Sequence, residues 1–592
     1  MSQDPTAAPD RPGGRLVLLV ALGLTLLPLV VSAVQLLVVR DDIHPTSDLA
    51  AIEMTTRDVG HHAVLLGPFS RDGWHHPGPL SSYLYAVPYR LLGSTSAAMG
   101  VAALLVNGAA VAGMAAVARR RGGTSLALAT LLVGGLLIRS LGPDIVRSPW
   151  NPSVTVLPYG LLVLLTWALL ARDRWALPAA VLVASFVAQT HVGYVALGLP
   201  LLAFGTAGLV VGTLRSGAGD PGARLRPLLR PGVVAVAVGA LVWAPPAYEQ
   251  LTREPGNLGT VAHWFRTGGD AGAPAQGVRA GWRLVSGQYG PVPEWVRGRA
   301  APDLFTAEPT VLRDPVLPVL LPLVVLALVG LVRRRVPSAG GLGVAWLAAS
   351  VLGVVATARV IGPVYAYRTG WTLVLGAIGG LALAWGAGRA LADLPWRPSR
   401  VPATAGRAPA RRAADAEAGR LPAVAARAAV LRRAFVPGAL AALAVLAAVS
   451  SVTYARAGVP DAERAGQIAA VAPAVRAALP PGDGEVVVDG RAGGWGGIIL
   501  APGLVLELER HGVDAVLPSG EGLGAHRIHH GGPVRARLLV ATGGSIVAAA
   551  AGEGRTLVAH DGLPLAILRT RLAAGQTVPD TAAIAVFLVI TP

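Results

Sequence analysis

Five histidines (His44, His61, His62, His75 and His76) and a run of acids crowd the segment from Asp41 to Gly93, directly after the first apolar stretch of the chain. Carboxylates and imidazoles are the side chains that move protons near neutral pH and hold metal ions. A Pro77-Gly78-Pro79 turn sits among them. A chain that has just crossed a membrane gains nothing in stability from such a polar insert, so the segment reads as an active-site or recognition loop. The histidine spacing matches no established zinc pattern, and adjacent His-His pairs seldom both reach one ion.

Local signals predict how these residues are held. Pro45, Thr46 and Ser47 offer a helix start, and LAAIEMTTRDVG can follow as a short amphipathic helix along the membrane surface, with Asp48 in its first turn. Gly67 to Pro79 is rich in turn formers. LSSYLYAVPYRLLG then reads as a second interfacial helix, with Tyr83, Tyr85 and Tyr89 as amphipathic anchors.

The rest of the chain shows what these elements are attached to. Its 592 residues are 53% hydrophobic and only 14% charged, too apolar for a soluble multidomain protein. The first span, Leu16 to Val39, is too long for a signal-peptide core and reads as a retained membrane helix. Apolar segments of spanning length fall at about 16–39, 95–118, 124–142, 153–170, 175–190, 194–213, 232–248, 314–332, 342–361, 371–388 and 436–455, about eleven in all. The expected class is a polytopic α-helical membrane protein with a small extracytoplasmic α/β C-terminal domain.

The net charge of +17 carries no nucleic-acid signature, because its arginines lie in short loops between spans. Arg119 to Arg121, Arg172 and Arg174, Arg215 to Arg230, Arg333 to Arg335 and the stretch Arg389 to Arg433 share one side, which the positive-inside rule makes cytoplasmic along with the N-terminus. The opposite side receives the 40–94 loop, PDIVRSPWNP, QTHVGY, the long 249–313 loop, GPVYAYRTG and residues 456–592. Cysteine and lysine are both absent, which excludes disulfides and thiolate chemistry. The Ala, Arg, Gly and Pro bias suggests an actinobacteria-like, high-GC source.

Within this plan, residues 1–455 form the membrane domain, and 389–435 are expected to be a flexible cytoplasmic linker. EVVVDG, VDAVLP, RARLLVATGG and TLVAHDG supply strands for the outer domain. The glycines of DGRAGGWGG match neither a dinucleotide fingerprint nor a P-loop and read as a tight turn. Trp74, Trp150, Trp264, Trp282 and Trp295 fall in outer loops and read as interfacial belt residues.

The loop resembles the first outer loop of the GT-C superfamily of membrane glycosyltransferases, in particular the protein mannosyltransferase and lipid A aminoarabinose transferase branch. The matching elements are Asp48 at a helix start, the helix through Glu53, the break at Asp58 and Gly60, Pro77-Gly78-Pro79-Leu80, Tyr83, and Arg90-Leu91-Leu92-Gly93. Three features depart from that pattern. The common Asp-Glu pair is Asp48-Leu49, the lysine often preceding the proline pair is His76, and Gly78 displaces the second proline.

The resemblance implies transfer of a sugar from a polyprenyl-phosphate donor to a glycan, lipid or protein hydroxyl at the outer face of the cell membrane. Asp48 is then the catalytic base, with Asp144 in PDIVRSPWNP as a second acid that either shares catalysis or merely pairs with Arg147. Asp41 and Asp42 are the second choice as base. Glu53, Arg71, His75, His76, Tyr83, His191 and Arg368 are the expected substrate contacts, the cations and imidazoles facing the leaving phosphate. A divalent cation (Mg, Mn or Ca) held by Asp48 or Asp144 with the donor phosphate fits hard-ion chemistry, and no organic cofactor is implied. Rival readings are a lipid-linked glycan flippase, against which the scarcity of mid-membrane charge counts, and a non-enzymatic cell-envelope scaffold.

Overall fold

A computed structural model describes residues 12–70, 72–215, 220–267, 274–298, 308–393, 420–519 and 522–589. Eight of its helices are long and apolar enough to cross a membrane, and Ala176–Thr190 and Leu320–Arg333 are shorter apolar helices. One of the eight, Ser96–Leu141, is two helices joined at Gly123, whose φ of 75° breaks the helical backbone. Counting that break, the eleven apolar rods expected from hydropathy are present, and the chain is a multi-pass membrane protein.

The loops sort to two ends of the bundle, as the charge pattern requires. At one end Arg121 pairs with Asp173 at 3.2 Å, and the Ser338 hydroxyl donates to the Arg121 carbonyl. Three arginine-bearing connections therefore meet there. Arg420–Ala455 is one continuous helix, so the expected flexible linker is helical from Arg420 onward; residues 394–419 lie outside the described ones.

At the other end stands a five-stranded sheet, ordered β4-β3-β5-β7-β6. Here β3 is Glu485–Asp489, β4 Ala515–Val516, β5 Val534–Thr542, β6 Arg555–Gly562 and β7 Ala583–Val589; the remaining two strands, β1 (Phe69–Ser70) and β2 (Trp74–His75), form a hairpin in the first loop. Strand β3 pairs in parallel with β4 and β5, whereas β7 pairs antiparallel with β5 and β6. Helices Ala462–Ala478 and Gly494–Arg510 cover one face and Ser545–Ala550 and Leu565–Ala573 the other, so the buried strand residues need no alternation. The glycines of DGRAGGWGG do make a tight turn. A Cβ on Gly493 would fall 1.7 Å from the Val540 carbonyl oxygen, and one on Gly490 2.2 Å from that of Gly497.

The first surface helix, Ser47–Asp58, lies differently from its expected place on the membrane surface. Ala50 and Met54 are fully buried in the hydrophobic core of the sheet domain, among Val486, Leu500 and Leu504, while Ile52 joins the core of the membrane bundle. Its apolar residues thus cement two domains. Burial of Ile52 and Met54 contributes about 1.5–3 kcal/mol each.

The second helix, Leu80–Leu91, corrects the reading of its tyrosines as membrane anchors. Tyr85 and Tyr89 are buried, their hydroxyls donating to the Pro149 carbonyl at 3.2 Å and to Glu53 at 2.8 Å. An amphipathic side chain fits a protein interior equally well once its hydroxyl finds an acceptor.

Candidate active site

Five loops at the sheet-domain end of the bundle, together with the sheet domain, line a cavity of about 1020 Å³, Trp264 and Phe265 coming from the long 249–313 loop. The first loop contributes Asp48, Trp74 and His76; PDIVRSPWNP contributes Asp144 and Trp150; QTHVGY contributes His191; GPVYAYRTG contributes Tyr367 and Arg368. From the sheet domain and its approach come Asp461, Arg464 and Trp495.

Asp48 occupies the first turn of its helix, where the amide dipole favours a carboxylate. The residue before it, Ser47, has a φ of +48°, a left-handed backbone that non-glycine residues adopt at a cost of about 1–2 kcal/mol. Such strain is characteristic of positions where geometry is imposed by the surroundings. The Asp48 Oδ2 accepts a hydrogen bond from the Trp150 indole Nε1 at 2.8 Å, and the Trp150 ring lies 4.8 Å from that of Tyr367.

Asp144 is exposed and reaches Arg147 at 3.4 Å, the ion pair that its sequence position allowed. Arg147 itself is buried and also donates to Gln35 Oε1 and to the carbonyls of Ala457 and Gly458, fastening the first span to the chain leaving the last. Asp144 still borders the cavity. Asp41 and Asp42 are exposed, do not line it, and Asp41 pairs with Arg40 at 3.5 Å. Asp48 and Asp144 fit a hard ion by donor chemistry, as two carboxylates on one cavity, although they belong to no cluster of three protein ligands among the described residues.

His76 and His191 form a pair in the cavity wall, with ring centroids 4.8 Å apart. Both rings accept backbone amides through Nδ1, His76 from Val192 and His191 from Gly193, each at 3.1 Å. Accepting at Nδ1 places the proton of a neutral imidazole on Nε2, which makes each Nε2 a donor. Burial, then the neighbouring His191, His75 and Arg368, hold His76 well below the usual histidine pKa, so it is neutral at pH 7. The Trp74 indole nitrogen beside it is buried without a hydrogen-bond partner among the described residues. Arg368 lies over the rings of Tyr365 and Tyr367, at 5.7 and 5.4 Å from their centroids, and forms no salt bridge among the described residues.

Other expected contacts are used structurally. Glu53 reaches the cavity wall but is 1% exposed, and its carboxylate accepts from Tyr89, from Ser96 at 2.7 Å and from Arg510. It locks the first loop to the sheet domain. Tyr83 lies outside the cavity and donates to the Val64 carbonyl at 2.5 Å. His75 bonds the Gly67 carbonyl at 2.9 Å and exchanges backbone hydrogen bonds with the Asn257 amide, bracing the β1–β2 hairpin. Arg71 lies outside the described residues.

Several cavity residues carry no site role in the sequence reading, among them Trp74, Trp150, Trp264, Asp461, Arg464 and Trp495. Trp74, Trp150 and Trp264 read as belt residues from sequence, although Trp150 stands six positions from Asp144 in the same loop. Asp461 had no signal at all. Its carboxyl is raised, mainly by burial, and it pairs with Arg464 at 3.6 Å and accepts from Thr46, two residues before Asp48.

No protein-family model matches the chain, and no curated protein matches its sequence. Among solved structures, ArnT from Cupriavidus metallidurans bound to undecaprenyl phosphate aligns over 95% of this chain and 97% of that one, with a TM-score of 0.51 at 15% identity. The chain shares the fold of ArnT. The apo ArnT structure from the same organism aligns over the same shares, at 16% identity and a TM-score of 0.51. The archaeal oligosaccharyltransferase AglB from Archaeoglobus fulgidus, in complex with an inhibitory peptide and a dolichol-phosphate, aligns over 81% of this chain and 63% of that one at 13% identity and a TM-score of 0.31.

Proposed function

We propose that the protein is a membrane glycosyltransferase that moves a sugar from a polyprenyl-phosphate donor to an acceptor hydroxyl at the outer face of the membrane. The carrying observation is that one cavity holds a carboxylate at a helix start, Asp48, together with the N–H donors of His76, His191 and Arg368. The ArnT fold, solved with undecaprenyl phosphate in that relative, supports the donor class.

In this reading the acceptor hydroxyl gives its proton to Asp48 as its oxygen attacks the anomeric carbon, and the bond from that carbon to the phosphate oxygen breaks. Polyprenyl phosphate leaves with the electron pair. The charge that builds on it meets the imidazole Nε2–H groups and the Arg368 guanidinium, which act at close to full strength where water is excluded. Trp150 sets the rotamer of the base. A divalent cation, where one takes part, would be held by Asp48 and Asp144 with the donor phosphate and would neutralise phosphate charge.

The test is to purify the full chain with its membrane lipid, identify any co-purifying polyprenyl-phosphate sugar by mass spectrometry, and follow its consumption with envelope extract as acceptor. Wild type should consume the donor, and Asp48→Asn should retain the lipid without turning it over. Full turnover by that variant removes Asp48 from the chemistry. Lipid movement across liposomes without sugar transfer would favour a flippase.

A further inference from the structure

The helix that begins with Asp48 ends at Asp58, and a second group of chemistry-bearing side chains gathers at that far end. Asp58, His62 from the first loop and His526 from the sheet domain each place one possible ligand atom within 4.8 Å of the other two. We propose that these three residues bind a divalent d-block cation such as Zn²⁺, which clasps the first outer loop to the sheet domain. The site does not depend on which reaction the cavity performs.

The geometry is partly set already. His526 Nε2 stands 3.4 Å from Asp58 Oδ1, close to the roughly 3.3–3.5 Å between two donors on a tetrahedral ion with bonds of about 2.0–2.2 Å. The His62 and His526 rings lie stacked beside the carboxylate, 3.8 Å apart at 11°, so a turn of one exposed imidazole about its side-chain torsions is what brings both in-plane lone pairs to the same ion.

Two turns hold them there. Gly60, at a φ of +84°, folds the chain back so that the amides of His61 and His62 both donate to the Asp58 carbonyl at 2.8 Å. Gly524, at +85°, brings the His526 turn against Asp58; a Cβ there would stand 3.1 Å from the His526 ring and 3.8 Å from Asp58 Oδ2.

Charge and access are compatible with an ion. Asp58 is buried, whereas both imidazoles are exposed, so an ion can enter from solvent while the carboxylate stays fixed. Arg527 donates to Asp58 Oδ2 at 2.6 Å and to Oδ1 at 2.9 Å, and each oxygen retains a second lone pair. The Arg527 charge is shared with Glu509, which also pairs with Arg57. Arginine therefore orients the carboxylate as an outer partner of a metal ligand does. Two imidazoles with one carboxylate select a borderline ion over Mg²⁺ or Ca²⁺, which prefer oxygen donors throughout.

The experiment strips the purified full chain with EDTA and titrates it with ZnCl₂ by calorimetry, with Co²⁺ absorption in the visible as the report on nitrogen ligands. One Zn²⁺ per chain should bind and raise the melting temperature. His62→Ala and His526→Ala should each weaken binding by about tenfold or more, while His61→Ala, its exposed neighbour, should not. The metal-free variants should melt with metal-free wild type, and His62→Gln and His526→Gln serve where alanine impairs folding. Absence of a one-to-one site, or a site unchanged in the His62/His526 double variant, overturns the proposal.

Discussion

The indole of Trp150 donates to Asp48 across 2.8 Å, from one outer loop to another. A hydrogen bond to a charged group is worth about 1.5–3 kcal/mol. If Asp48 is the base, Trp150→Phe keeps the ring packing against Tyr367 and loses only the donor. Turnover should fall roughly tenfold or more at an unchanged KM, since the bond positions the base without binding substrate. An unaltered rate in steady-state assays would sever the link between this bond and the chemistry.

Glu53 leads to an opposite expectation. Its buried carboxylate serves Tyr89, Ser96 and Arg510, so Glu53→Ala takes the shared acceptor from two buried hydroxyls and leaves Arg510 with Glu507 alone, at 2.7 Å. Leaving a buried donor unsatisfied costs about 1–3 kcal/mol. The variant should melt well below wild type, with Glu53→Gln intermediate, and the folded fraction should retain the wild-type KM. A normal melting curve with a raised KM would return Glu53 to the substrate site.

Glu53 and Asp48 show what the sequence made legible. Hydropathy, arginine placement and strand patterning make the spans, the two groups of loops and the C-terminal sheet domain legible, because those features follow from composition acting locally. Asp48 was marked by its place at a helix start. Glu53 lies on the same helix with equally suitable chemistry, and its fate is decided by Arg510, 457 residues away. Asp461 was invisible for the same reason: its meeting with Thr46 depends on how the sheet domain docks. The helix carrying both acids looked amphipathic, but periodicity does not say whether the apolar face meets lipid or Ala50 and Met54's protein partners.

The depressed pKa of His76 fixes a sign for acid stability. The folded protein holds His76 neutral, whereas the unfolded chain takes up a proton near pH 6.5. Below that point the unfolded state binds more protons, so stability falls as pH falls, and above it His76 contributes no slope. The melting temperature should drop between pH 7 and pH 5 more steeply in wild type than in His76→Gln. Equal slopes would mean that His76 titrates normally.

Arg368 offers a test of the phosphate side of the cavity. It is held by the Tyr365 and Tyr367 rings and by a bond of its Nε to the Tyr367 hydroxyl at 2.9 Å, rather than by a carboxylate. A guanidinium in that setting keeps its charge for an anion, and a planar group stacked on tyrosine is poorly replaced by an ammonium. Arg368→Ala should reduce retention of added undecaprenyl phosphate, measured by native mass spectrometry, by about ten- to hundredfold, as expected for one charge-assisted hydrogen bond of about 1.5–3 kcal/mol. Arg368→Lys should recover only part of that loss. Because His76 and His191 would donate as neutral groups while the phosphate monoester loses its second proton at about pH 6, retention in wild type should not fall from pH 6 to pH 8. A decline across that range would instead identify a protonated histidine as the main phosphate contact and reduce Arg368 to packing.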